Sequence, residues 1–254
     1  MKRKIILLML AALALLSALQ PAAAQMERDG LMVKARLGYN VGATAPIGLP
    51  ATIRSIESFK LTPNLMAGFE FVCPLSERLG VLVGVRYDIK DMDGEVTTKG
   101  YHMKVKMDAD ELEGLYTGHV RQIVRQRMLS VPVQLTCELG PRVQLKAGPY
   151  VSMLISKDFY GYAFDGYLRK DDPTGIKVVM GSKDGEWATY DFGGDMRRWQ
   201  MGVDLGIDWA FYRQLGLTAD LSWGLTGIHH ADFKTVEQTL YPIYGTIGLS
   251  YRFF

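Results

Sequence analysis

From residue 33 onward the chain alternates apolar and polar side chains in stretch after stretch. Val33, Ala35, Leu37, Tyr39, Val41 and Ala43 fall on one face of an extended chain, and Lys34, Arg36, Gly38, Asn40, Gly42 and Thr44 on the other. A period of two marks a β-strand with one apolar and one polar side. Seven further stretches read the same way, at residues 65–73, 79–89, 128–139, 143–155, 199–211, 215–226 and 241–253. The clearest sets Trp199, Met201, Val203, Leu205, Ile207, Trp209 and Phe211 against Gln200, Gly202, Asp204, Gly206, Asp208 and Ala210.

Strands of a water-soluble sandwich alternate too, but three features point to a membrane instead. The stretches run to nine to thirteen residues, whereas soluble strands average about five or six and a tilted membrane strand needs about 9–11. The polar face is rich in Gly and charge, and the apolar face carries aromatics near the strand ends, the pattern of a lumen and a lipid-facing surface with aromatic girdles. The connections alternate in length: tight breaks at 74–78, 140–142 and 212–214, long polar segments at 46–64, 90–127, 156–198 and 228–240. The expected fold is all-β, an eight-stranded antiparallel up-and-down transmembrane β-barrel with short periplasmic turns and long extracellular loops. An even count puts both termini on the periplasmic side with Ser76 and Arg213, and leaves Asp93 and Asp171 outside. Pro132 and Pro149 fall within strands, where each removes a ladder donor, so a bulge or kink is expected at both.

Composition narrows the alternatives. Of 254 residues, 48% are hydrophobic and 22% charged, which excludes a disordered chain. A mean hydropathy of +0.03 is too polar for a bundle of membrane helices. The formal net charge of +2 argues against a nucleic-acid surface. The first residues read as a targeting signal: Lys2, Arg3 and Lys4, an apolar run over 5–19 broken by Ser17, and Ala22-Ala23-Ala24 as a cleavage site before Gln25. The run is short for an anchor, which needs about 20 residues, and no Cys follows it to carry a lipid. The expected organisation is a cleaved signal peptide over 1–24 and an outer-membrane barrel domain over 25–254. Without the leader's three basic residues the chain holds 26 basic and 27 acidic residues, a net of −1.

The inward face carries the charge. Lys34, Arg36, Arg86, Lys146 and Arg252 are basic there, and Glu70, Asp88, Glu138, Asp204, Asp208 and Asp220 acidic. An eight-stranded barrel is just wide enough to be filled by its own side chains, and buried charges persist only when paired and hydrogen-bonded. A structural salt-bridge network closing the lumen is expected; a conducting site is the alternative. Phe71, Tyr87, Trp199, Trp209, Phe211, Trp223, Tyr241, Tyr251 and Phe253 form the expected aromatic girdle.

Chemistry-bearing groups are few, and no catalytic, cofactor-binding or metal-ligating residue is assigned. His102, His119, His229 and His230 fall in expected loops or loop edges. His229 and His230 with Asp232 suggest a metal site, but neighbours on an extended chain point opposite ways. Lipid-modifying chemistry needs a nucleophile, a His and a carboxylate on one outward rim, and Ser222 and Asp220 both face inward. Two long loops hold Tyr101, Tyr116, Phe159, Tyr160, Tyr162, Phe164, Tyr167, Trp187 and Tyr190; these serve either a recognition surface or loops that pack on themselves. Cys73 and Cys137 both face outward near the periplasmic rim with a strand between them. Two strand spacings amount to about 10 Å, and a disulfide needs Cα atoms within about 7 Å, so two free thiols are expected.

Several segments carry a resemblance. Leu129-Ser130-Val131-Pro132-Val133-Gln134-Leu135, Ala147-Gly148-Pro149-Tyr150, Asp191-Phe192-Gly193 and Tyr251-Arg252-Phe253-Phe254 occur in that order. Earlier come Ala45-Pro46-Ile47-Gly48-Leu49-Pro50 and Ile53-Arg54-Ser55-Ile56-Glu57-Ser58-Phe59. Together they resemble the Bacteroidota-type outer-membrane β-barrel family of PorT-like and OmpX-like eight-stranded barrels. In that family Asp191-Phe192-Gly193 would open the sixth strand, and the strand prolines are ordinary; Phe254 is one residue beyond the usual aromatic ending. The resemblance implies integral outer-membrane localisation and assembly by the barrel-assembly machinery through the C-terminal aromatic strand. The expected function is a non-enzymatic barrel for surface recognition, envelope integrity or secretion accessory work, with outer-membrane lipid and an extracellular or envelope protein as partners, no cofactor and no nucleic acid. A lipid A hydrolase or acyltransferase and a small pore are the alternatives.

Overall fold

The computed structural model describes residues 30–253, apart from 49, 108, 109, 171, 184, 231, 234, 236 and 237. The expected signal peptide, with Lys2, Arg3, Lys4 and Gln25, lies outside the described residues, as do Leu49, Asp171 and Phe254. Among the described residues, twelve strands form one sheet in which every pairing is antiparallel. They are β1 (Met32–Pro46), β2 (Ile53–Lys60), β3 (Leu65–Pro74), β4 (Leu79–Ile89), β5 (Met92–Met107), β6 (Asp110–Gly140), β7 (Val143–Lys170), β8 (Lys177–Met180), β9 (Ala188–Asp191), β10 (Trp199–Tyr212), β11 (Leu215–Gly224) and β12 (Leu240–Arg252).

The pairing runs from β1 through β3, β4, β6, β7, β10, β11 and β12 and returns to β1. Each strand of this circuit covers one of the stretches that alternate in the sequence. The alternation sorts side chains by solvent in an inverted sense: Leu37, Val83, Val131, Leu205 and Leu217 are exposed, while Arg36, Glu70, Arg86, Lys146 and Asp204 are buried. In water such an arrangement would strand apolar surface outside and charge inside; surrounded by hydrocarbon, it is the stable one.

Three short turns close one end, β3 to β4 through 75–78, β6 to β7 through 141–142, and β10 to β11 through 213–214. Ser76 Oγ accepts the Leu79 N–H at 3.2 Å in the first, and Arg213 takes a left-handed conformation, φ +44°, in the last.

Among the described residues four strands, β2, β5, β8 and β9, join the eight expected, because the long segments are not loops throughout. Segment 46–64 contains β2, and segment 90–127 contains β5 and the outer half of β6. Segment 156–198 contains the outer half of β7 together with β8 and β9. His102 and His119 therefore sit on strands. Asp191 ends β9, and the sixth strand of the circuit begins only at Trp199. The bulges expected at Pro132 and Pro149 are absent. Register runs unchanged past both, and the ladder instead skips Gly84 and Val85 opposite Val131 and Pro132, and Val133 and Gln134 opposite Gly148 and Pro149. A proline with no N–H to give opens a gap in the ladder without adding a residue to it.

Beyond the barrel's long-loop end the strands continue into a head. There β9 pairs with both β5 and β7, closing a second, smaller circuit with β6 around an apolar core that includes Met103, Val105, Tyr116, Val120, Val124, Phe159, Leu168, Met180, Tyr190 and Met196. This part is built like a water-soluble domain, with apolar side chains inside.

Candidate functional site: barrel interior and outer head

The interior is a stack of ion pairs and hydrogen bonds. Nearest the short turns, Lys34 Nζ donates to Gln144 Oε1 at 2.7 Å and to Asp208 Oδ2 at 3.1 Å. Gln144 also donates to Glu138 at 2.5 Å. Next comes Arg36, which pairs with Glu70 at 2.5 Å, with Asp220, and with Thr218 Oγ1 at 2.8 Å. Lys146, 0% exposed, lies 2.7 Å from Asp208, 3.2 Å from Asp220 and 3.5 Å from Glu70. Further out, Arg86 reaches Asp204 at 2.8 Å and Asp88 at 3.6 Å. Ser130 donates to Asp88 at 2.9 Å, and Gln134 to Asp204 at 3.2 Å.

The glycines of the inward face make room for these long side chains. A Cβ on Gly206 would run into the Asp220 carboxylate and come within 2.6 Å of Lys146 Cε; one on Gly202 would come within 2.6 Å of the Tyr150 ring. Glycine is thus what lets a narrow lumen hold large charged groups.

Of the eleven charged residues assigned to the lumen from the sequence, the structure leaves two apart. Arg252 is exposed and Glu138 half-buried, and among the described residues neither joins an ion pair. Both line a cavity of about 60 Å³ at the short-turn mouth, beside Lys34, Arg142 and Asp208. Both sit in register with the layer nearest the short turns, Arg252 opposite Lys34 and Glu138 opposite Gln144, on the side that opens to the mouth. One buried charge was missed. Lys90 is 1% exposed, with its ammonium 5.5 Å from the ring centres of both Tyr150 and Tyr244. The sign was a continued period of two, since Lys90 follows Arg86 and Asp88 on the same face. With Lys90 counted, the buried charges are Lys34, Arg36, Arg86, Lys90 and Lys146 against Glu70, Asp88, Asp204, Asp208 and Asp220.

Of the expected girdle, Phe71, Tyr87, Trp199, Trp209, Phe211, Trp223 and Tyr251 are exposed on the outer face, while Tyr241 and Phe253 are half-buried. Cys73 is exposed and Cys137 half-buried, and both are free thiols; β4 pairs with both of their strands and separates them.

In the head, packing claims several of the loop aromatics. Tyr116, Phe159 and Tyr190 are buried, whereas Tyr101, Tyr160, Tyr162, Phe164, Tyr167 and Trp187 are half-buried. Tyr116 donates its hydroxyl to Phe164 O at 2.6 Å and Tyr190 to Arg121 O at 3.0 Å; burial raises both phenols above the ordinary tyrosine range. Asp93 receives a forked pair of bonds from Arg121 at 2.9 and 2.7 Å, which holds its carboxyl below the usual range.

His229 stacks on Phe233 at 4.5 Å and meets Phe159 edge-on at 4.8 Å. Burial, with smaller contributions from His230 and Lys157, pushes its pKa down to about 4. His230 points to solvent, so the two neighbours face opposite ways. His119 Nδ1 lies 3.8 Å from Glu95, and His102 Nε2 3.5 Å from Glu113. Asp220 and Ser222 are both buried in the lumen. Among the described residues no three His, Cys, Asp or Glu side chains converge as metal ligands.

None of the curated proteins matches the sequence. Among solved structures, Ail, the attachment invasion locus protein of Yersinia pestis, is 8% identical with a TM-score of 0.36, over 88% of this chain and 97% of that one. The translocator domain of the autotransporter NalP from Neisseria meningitidis is 12% identical with a TM-score of 0.25, over 96% and 98%. Likenesses this distant carry no argument. A family model does: the outer membrane protein β-barrel domain matches residues 23–230. That is most of the chain, and the protein belongs to the outer membrane protein β-barrel domain family.

Proposed function

We propose that this outer-membrane protein is a non-enzymatic barrel of eight membrane-spanning strands, its lumen plugged by its own side chains, and that its work is done by the head. The reading is carried by the ion pairs that cross the interior from non-neighbouring strands. Arg36 ties β1 to β11, and Arg86 ties β4 to β10. A lumen bridged in this way is held shut and rigid, and a rigid barrel suits the display of a folded head for surface recognition, envelope integrity or secretion accessory work. In this reading the leader is removed after Ala24 and the C-terminal strand engages the barrel-assembly machinery. The chain then sits with the Bacteroidota-type PorT-like and OmpX-like proteins.

Planar-bilayer conductance is the test of the plug. Purified protein is expected to give no stable channels, and large stable openings would overturn the reading in favour of a pore. Lipid A from a deletion strain is expected to keep its acyl pattern; a changed pattern would move the assignment to a lipid-modifying enzyme.

A further inference from the structure

We propose that the short-turn rim of the barrel binds anionic phospholipid head groups through four arginines that the fold brings to one level. The proposal rests on the membrane-barrel reading above. Arg78 closes the β3–β4 turn, Arg142 lies in the β6–β7 turn, Arg213 in the β10–β11 turn, and Arg252 ends β12; the last three also line the mouth cavity. All four are exposed, and among the described residues none joins an ion pair. Some cations of the head are paired, Arg121 with Asp93, and Lys104 and Lys106 with Glu111. The rim's acids do not offset the arginines, because Glu138 is half-buried and bonded to Gln144, which leaves Glu77.

The same turns settle which anion fits. Leu75 and Leu139 are 66% and 62% exposed beside Arg78 and Arg142. Arg213 lies over the exposed Tyr212 ring at 5.4 Å. Exposed leucine, an aromatic ring and unpaired guanidinium at one depth match the boundary where acyl chains give way to phosphates. An acidic partner in water would leave the leucines wet. A cation at an anionic bilayer surface gains about 1 kcal/mol, roughly fivefold in binding.

The test is urea unfolding of the protein reconstituted in phosphatidylcholine vesicles, with and without phosphatidylglycerol, followed by tryptophan fluorescence. Phosphatidylglycerol is expected to raise the midpoint, and molar salt to erase the rise by cutting the screening length to about 3 Å. The combined Arg78→Gln, Arg142→Gln, Arg213→Gln and Arg252→Gln variant should fold in phosphatidylcholine and lose most of the rise. Arg125→Gln with Arg127→Gln, exposed on the opposite side of the barrel, should keep it. No rise for the unaltered protein, or a full rise for the fourfold variant, overturns the proposal. So does an equal rise from soluble poly-glutamate, which would assign the rim to an acidic partner in water. Protein that stays protease-sensitive in both vesicle types would instead overturn the membrane reading beneath it.

Discussion

Arg36 on β1 and Asp220 on β11 form an ion pair inside the barrel, although 184 residues separate them in the chain and β12 stands between their strands. The pair crosses the lumen instead of following the sheet, and it shares its partners with Glu70 and Lys146. Inward charges thus tie strands that are not neighbours as well as strands that are.

Arg36→Ala leaves Glu70 and Asp220 with one cation too few in a dry interior. A loss of about 3–5 kcal/mol is expected, read from urea unfolding in detergent. Replacing a balanced pair, Arg36→Met with Asp220→Asn, should cost less, because one charge of each sign is removed and Glu70 keeps Lys146.

Gly206→Ala places a methyl group against the Asp220 carboxylate and Lys146. A cost of about 1–3 kcal/mol is expected from overpacking. Thr218→Ala, which removes volume at the same level and leaves the Arg36 ion pairs in place, should cost less. Equal effects would mean the interior is loose enough to absorb a methyl group.

The head should loosen in acid. His229 has a folded pKa of about 4 against an ordinary 6.5, so the unfolded segment binds more protons between those values. Local stability is full above about 6.5, falls as pH drops toward 4 by up to about tenfold per pH unit, and changes no further below that. Amide exchange around Ile228 and His229 as a function of pH measures it, and His229→Phe should flatten the profile.

Two thiols should be counted in denatured, unreduced monomer, one each from Cys73 and Cys137. A count of zero would require β3 and β6 to lie closer than the intervening β4 allows.

Tags inserted near Asp93 should react on intact cells, and tags near Ser76 or Arg213 should not. Labelling in the opposite sense would invert the barrel, putting the head in the periplasm.

The eight alternating stretches were legible because each lies between lipid and lumen, two environments of opposite polarity, and a strand between them has to alternate. The inward side of Lys34, Arg36, Glu70, Arg86 and Asp204 followed from that period alone, as did the outward side of Trp199 and Trp209. The head was not legible. Strands β5, β8, β9 and the outer halves of β6 and β7 stand in water, where an outward side chain can be polar or apolar at little cost, so no strict period marks them. Tertiary structure alone decided that Arg252 and Glu138 stay open at the mouth while Lys34 is buried beside them, since exposure at the rim depends on where a strand meets the others. It alone matched Arg36 with Asp220, because cross-lumen partners are set by how the barrel closes, and closure leaves no trace in local sequence.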